Sequence, residues 1–110
     1  MNWNKIAADP NTANKYVIAY TDQGNSSYGT AIVGTVSGTS ISFGTSVVYN
    51  SATTSYNSIG FDPNNSGKCV IAYQDTPNSS SGTAVMGTVS GTSISFGSEV
   101  VFNGNSNYFT

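Results

Sequence analysis

The sequence lacks arginine and histidine and has little charge of either sign. Its 110 residues include three basic side chains, all lysines, and five acidic ones, for a formal net charge of -2 at pH 7. Proteins that bind nucleic acids need basic groups to neutralise phosphates, so this composition argues against a nucleic-acid partner. The commonest general base, histidine, is also missing. We therefore predict that the protein is not an enzyme.

Cysteine and long apolar segments are equally scarce. Cys69 is the single cysteine, so one chain can form neither a disulfide nor a thiolate metal cluster. We expect it to be a small apolar side chain in a buried strand. The apolar runs at residues 16–20 and 69–73 are too short to span a bilayer, and the first residues lack the apolar core of a secretion signal. We predict no membrane segment; the compartment stays open, and an extracellular or virion surface is compatible with the sequence.

The dominant positive feature is a tandem repeat. Residues 6–50 align with residues 59–103 at a constant offset of 53, with 30 identities in 45 positions. Trp3 aligns with Tyr56, and the chain ends on Tyr108–Thr110, which matches the opening of a third, truncated repeat. The pattern predicts two equivalent structural units, residues 1–55 and 56–110, each a supersecondary element.

Each repeat predicts four short strands. In repeat 1 they are residues 3–8, 15–20 and 30–36, followed by an outer strand in which Ile41, Phe43, Val47 and Tyr49 alternate with polar residues. This alternation predicts that the outer strand buries one face and exposes the other to solvent. The first strand ends at an Asp-Pro-Asn turn. Asn14 and its equivalent Gly67 stand where the chain needs positive φ. The second strand is apolar on both faces, which is expected of a strand covered from both sides.

This order of strands resembles the four-stranded blade of a β-propeller. The resemblance implies an all-β protein with two antiparallel blades per chain. A ring needs about four to eight blades, so two blades imply closure by homo-oligomerisation. Two-blade lectin propellers complete their ring as homotrimers, and we predict a homotrimer of six blades, with a tetramer of eight as the alternative. The competing fold is a two-sheet sandwich in a monomer or dimer.

The predicted ligand site is the loop after the second strand together with the aromatic residue that opens each repeat. Carbohydrate sites combine an apolar wall with a few convergent polar groups, and these loops offer both. The candidate residues are Trp3, Asp22, Asn25, Tyr28, Tyr56, Asp75, Asn78 and Tyr108. The alternative is that the loops are simply polar and the aromatics pack between blades. The chain lacks the arginine and glutamate of the two-blade fucose lectins, so their specificity does not carry over.

The acidic residues do not form a recognisable catalytic or metal-binding pattern. Sialidase-like propellers clamp a carboxylate with arginines, which this chain lacks. Four of the five acids are repeat-equivalent, Asp9 with Asp62 and Asp22 with Asp75, which favours a structural role. The segment from Asp62 to Gly67 matches the start of a calcium loop, but Tyr73 stands where the bidentate glutamate belongs. We predict no catalytic residue, metal or cofactor.

The function predicted from the sequence is that of a non-enzymatic, oligomeric binding module with glycans as the ligand class. The alternative is a structural repeat element, or a piece of a longer repetitive surface or virion protein, with no ligand of its own.

Overall fold

The computed structural model describes residues 2–106, and most of them lie in strands. The nine strands are β1 (Asn2–Ala8), β2 (Lys15–Asp22), β3 (Tyr28–Ser37), β4 (Ser40–Phe43), β5 (Val47–Phe61), β6 (Lys68–Asp75), β7 (Ser81–Ser90), β8 (Ser93–Phe96) and β9 (Val100–Ser106). One short 3-10 turn, Gln23–Asn25, is the only helical segment in this range. The all-β prediction is confirmed.

Every strand pairing is antiparallel. The strands follow the order β1-β2-β3-β5-β6-β7-β8, with β4 paired to β3 and β9 paired to β7. Each connection is a local hairpin or meander, as the short turns of the sequence predict. The path does not return to β1, so the described part of the chain forms an open sheet.

Strand β5 belongs to both repeats. Its first part pairs with β3 of repeat 1, and its second part, from Thr54 to Phe61, pairs with β6 of repeat 2. The predicted first strand of repeat 2 is therefore the second part of β5. The predicted boundary between residues 55 and 56 falls inside this continuous strand.

The predicted outer strand is interrupted. Residues 44–46 separate β4 from β5, and both segments pair with β3. The expectation that this strand buries one face is wrong for β4, because Ile41 and Phe43 are 46% and 50% exposed. Their equivalents in β8 differ, since Ile94 is buried and Phe96 is half-buried.

The turn between the first two strands of each repeat forms as its residues predict. Asp9 N donates to Lys15 O at 2.9 Å, and Asp62 N donates to Lys68 O at the same distance. Asn14 has φ of 64° and Gly67 has φ of 74°, so both residues adopt the predicted left-handed conformation.

The hydrophobic core lies between the two repeats and takes side chains from both. Repeat 1 contributes one side of β2 and β3, and we call this side the first face. Its members in repeat 1 are Val17, Ala19, Ala31 and Val33, which are all buried. Their equivalents in repeat 2 are Val70, Ala72, Ala84 and Met86.

Repeat 2 contributes the opposite side of its strands to the core, and we call this side the second face. Its members in repeat 2 are Cys69, Ile71, Tyr73, Val85, Ile94 and Phe96. Their equivalents in repeat 1 are Tyr16, Ile18, Tyr20, Ile32, Ile41 and Phe43. Because successive side chains of a strand point to opposite faces, two nearly identical repeats build one core from opposite faces.

Candidate functional site

The predicted site residues of each repeat lie at one end of the strands. Asn2 of β1 pairs with Thr21 at the end of β2, so Trp3 stands beside the loop that follows Asp22. In repeat 2, Ser55 pairs with Gln74, which brings Tyr56 beside the loop that follows Asp75. Tyr108 lies outside the described residues.

The structure brings Trp3 and Tyr56 together. Their ring centroids are 5.0 Å apart with an interplanar angle of 49°. Trp3 and Tyr56 each lie at a shift in strand register at the start of their repeat. At these positions Trp3 has φ of 52° and Tyr56 has φ of 55°. Trp3 is 39% exposed, so this pair offers an aromatic surface to solvent. It also joins the two repeats.

The two loop aspartates differ in their surroundings. Asp22 is half-exposed, and its Oδ1 accepts from Gly24 N at 3.1 Å. Asp75 is buried, and its Oδ1 accepts from Asn50 Nδ2 at 3.4 Å. Burial raises the pKa of Asp75, and the nearby charge of Glu99 raises it further. Asp22 is therefore accessible to a ligand, whereas Asp75 is part of the protein interior.

The remaining loop candidates are mostly exposed. Asn25 and Asn78 face solvent, and Tyr28, in the same loop region as Asn25, is half-buried. Both loops hold two successive serines at positive φ, which are Ser26 and Ser27 in repeat 1 and Ser79 and Ser80 in repeat 2. Ser81, which replaces Tyr28 in repeat 2, is buried. The two loops thus share the backbone conformation of these serines but present different side chains.

A buried polar network beneath this rim was not predicted from the sequence. Asn57 Nδ2 donates to Thr21 Oγ1 at 3.0 Å and to Trp3 O at 3.3 Å. The Tyr49 hydroxyl donates to Asn57 Oδ1. Asn57 therefore ties the second repeat to two strands of the first.

Thr54 extends the same network. Thr21 Oγ1 donates to Thr54 O at 2.8 Å, and Asn50 Nδ2 donates to Thr54 Oγ1 at 2.9 Å. Within the described residues, every buried side-chain nitrogen or oxygen has a hydrogen-bond partner. The sequence carried no clear signal of this network: Thr21 and Tyr49, replaced by Gln74 and Phe102, are two of the 15 positions at which the aligned repeats differ.

The groups with catalytic potential are held in structural roles. Cys69 is buried, and burial raises the pKa of its thiol to about 11, which disfavours the nucleophilic thiolate. The Tyr73 hydroxyl donates to Glu99 Oε2 at 2.5 Å, and burial raises the pKa of Tyr73. Residues 2–106 contain no cluster of three metal-ligating His, Cys, Asp or Glu side chains.

The Asp-Pro-Asn segments form turns. Asp62 Oδ1 accepts from Asn64 N at 2.9 Å, and its Oδ2 accepts from Asn65 Nδ2 at 2.8 Å. These bonds lower the pKa of Asp62, with the Asn65 bond contributing most. Asp9 caps its own turn in the same way, through Asn11 N at 2.9 Å. Both carboxylates thus cap a turn.

Each repeat leaves one apolar face partly uncovered. On repeat 1 it is the second face, where the exposed Phe43, the half-buried Ile18 and Ile32 and the buried Tyr20 line a shallow depression. On repeat 2 it is the first face, where Val70 and Met86 are 45% and 46% exposed. Exposed apolar patches of this kind mark sites of association.

Comparison of the chain with protein-family models, with curated proteins and with solved structures finds no match. No helix within the described residues is long and apolar enough to cross a membrane.

Proposed function

We propose that this protein is a non-enzymatic module that self-assembles head to tail into a β-propeller. The observation that carries the proposal is the opposite burial of the two repeats. Inside the chain, the first face of repeat 1 packs on the second face of repeat 2. The faces left over are the second face of repeat 1 and the first face of repeat 2. These two uncovered faces are equivalent to the two faces that pack on each other inside the chain.

A contact between unlike faces is heterologous, and repeating it gives a ring when the rotation closes. Three copies would supply six blades and four copies eight, both within the usual range for propellers. A sandwich dimer that pairs like faces would use a contact that the chain itself does not make. The sandwich alternative therefore has less support than the ring.

Association has an apolar driving force. Ile41, Phe43, Val70 and Met86 are each about half exposed. Burying the rest of such a side chain contributes roughly 1 kcal/mol. The few charges on the chain leave these faces with little electrostatic repulsion to oppose contact.

Light scattering on a size-exclusion column tests the proposal. We expect a discrete mass near three times the 11.4 kDa chain, with four times that mass as the other closed ring. Met86→Asp places a carboxylate in the apolar joint and should give a folded monomer. Asn25→Asp adds the same charge on the exposed loop and should assemble like the natural chain. A natural chain that stays monomeric at high concentration would refute self-assembly.

The second candidate function is glycan binding at the rim. The observation that favours it is the exposed Trp3–Tyr56 pair beside the accessible Asp22. Sugars stack on aromatic surfaces and are oriented by adjacent polar groups, and repeated weak sites on a ring would act together. If neither a ligand nor a site is found on an intact ring, the structural-element alternative is favoured.

Titration on a glycan array, with Trp3 fluorescence as the second readout, tests this candidate. Asp22→Ala should abolish binding while leaving the mass of the assembly unchanged. Lys5→Ala, an exposed change on the same strand as Trp3, is the control for binding. Equal binding by the natural chain and Asp22→Ala would remove Asp22 from the site.

A further inference from the structure

We call the packed boundary between repeat 1 and repeat 2 the joint. Several residues make contacts across this joint, but their equivalents at the offset of 53 make no such contacts inside the chain. This inference rests on the proposed self-assembly and makes it specific at the level of residues. We infer that the joint between copies reproduces the joint between repeats at the offset of 53. Gly97 would lie against Thr39 of the partner subunit, and the Asp62 carboxylate would accept from the backbone N–H of the partner's Asn14.

The first contact is a close approach of two backbones. A Cβ placed on Gly44 would lie 2.0 Å from Thr92 O, a distance that no side chain tolerates. Gly44 follows β4 of repeat 1, and Thr92 stands in the turn before β8 of repeat 2. The repeats can pack only because residue 44 is glycine.

Gly97, the equivalent glycine of repeat 2, makes no such close contact inside the chain. A Cβ placed on Gly97 meets nothing within 4 Å, and its φ lies outside the left-handed region. The turn that Gly97 would meet is present, however, because Gly38 and Gly91 have φ of 61° and 62°. Thr39 stands after Gly38 as Thr92 stands after Gly91. A second copy would therefore give Gly97 the contact that Gly44 already makes.

The second contact is a carboxylate that caps a turn in the neighbouring repeat. Asp9 Oδ2 accepts from Gly67 N at 2.9 Å, and this bond is buried. Beside it, Asn11 Nδ2 donates to Pro63 O at 2.9 Å. These bonds fix the turn of repeat 1 on the turn of repeat 2.

Asp62 has the same internal turn bond but a different second partner. Its Oδ2 accepts from the exposed side chain of Asn65, a residue that replaces Thr12 of repeat 1. Asn14 holds the same left-handed backbone as Gly67. In an assembly, Asp62 Oδ2 would exchange the Asn65 amide for the N–H of the partner's Asn14.

A third contact supplies a spectroscopic readout. The shift of 53 that places Tyr56 on Trp3 would also place Trp3 of the partner subunit on Tyr56. A ring would then carry a closed circle of alternating tryptophan and tyrosine at one rim. Trp3 is the single tryptophan and is 39% exposed in one chain, so its emission should shift to shorter wavelength on assembly.

The experiment compares equivalent substitutions in the two joints, with mass measured by light scattering across a dilution series. Gly97→Ala should raise the concentration of half-dissociation by at least tenfold, and its monomer should unfold at the same temperature as the natural monomer. Gly44→Ala should lower the unfolding temperature of the monomer itself. Asp62→Ala should raise the half-dissociation concentration by about tenfold, whereas Asp9→Ala should destabilise the monomer.

The outcomes separate this inference from the proposed function. A monomeric natural chain refutes self-assembly and the joint together. A natural assembly that tolerates both Gly97→Ala and Asp62→Ala, with Trp3 emission unchanged by dilution, refutes this joint and leaves self-assembly standing. If Gly97→Ala does not fold, Asp62→Ala decides alone, because the hydrogen bonds that the Asp62 carboxylate makes to Asn64 and Asn65 are exposed.

Discussion

The two repeats share two thirds of their aligned residues but bury opposite faces. Val17 is 1% exposed and its equivalent Val70 is 45% exposed, whereas Ile41 is 46% exposed and its equivalent Ile94 is 5% exposed. The side chains are identical in both pairs. Burial in this protein therefore depends on the position of a repeat in the chain, and the proposed assembly would place each repeat between two neighbours.

The largest expected effect comes from equivalent isoleucines in the two repeats. Ile71→Ala leaves a cavity in the core and should lower the free energy of unfolding by about 2–5 kcal/mol. Ile18→Ala changes the equivalent, half-buried residue and should have a much smaller effect on the monomer. Denaturant unfolding at concentrations where the chain is monomeric measures both. Equal losses would show that the uncovered face of repeat 1 is already packed.

A smaller effect is expected at the polar network. Asn57→Ala removes the partner of the Tyr49 hydroxyl and of Thr21, and should lower the free energy of unfolding by about 1–3 kcal/mol. Asn4→Ala changes the exposed equivalent and should have little effect on the monomer. If both variants unfold at the same denaturant concentration, the network does not hold the repeats together.

The third comparison is measured by thiol labelling and involves the smallest expected change in stability. It compares the accessibility of two equivalent positions. With a pKa of about 11, only about one Cys69 thiol in a thousand is ionised at pH 8, and the side chain is also buried. We expect Cys69 to react with a disulfide reagent only when the protein unfolds. Tyr16→Cys in a Cys69→Ser background places the thiol at the equivalent, half-buried position and should react much faster in the monomer.

The same labelling also tests assembly. Concentrating the Tyr16→Cys, Cys69→Ser protein should slow its reaction, because the second face of repeat 1 would then be covered. A rate independent of protein concentration would contradict coverage by a second copy.

The strand pattern and turns of this fold could be predicted because they depend on local residue chemistry. Alternation of apolar and polar residues identifies the strands, and Asn14 and Gly67 identify positive φ. The gap at residues 44–46 was not predicted. Residues 97–99 interrupt repeat 2 in the same way, although a Cβ on Gly97 would meet nothing within 4 Å, so the gap does not depend on the close approach of Gly44 to Thr92. That close approach could not be predicted, because a contact between distant residues leaves no periodic signal in the sequence.

The candidate site was predictable only in part. The position of Trp3 and Tyr56 at the end of their strands follows from the repeat alignment. The different burial of Asp22 and Asp75 does not, because the two residues occupy equivalent positions in similar sequences. Asp75 is covered because the end of repeat 1 lies beside it, where Asn50 donates to its carboxylate and Thr54 pairs with it.

Strand β5 has a consequence for how the protein unfolds. Its backbone hydrogen bonds run to β3 on one side and to β6 on the other, without a flexible linker between the two sets. Repeat 2 cannot lose its first strand unless the same continuous segment is pulled from repeat 1. We therefore expect the two repeats to behave as one cooperative unit, with amide protons of β2 and β6 exchanging through a shared opening rather than through two independent ones.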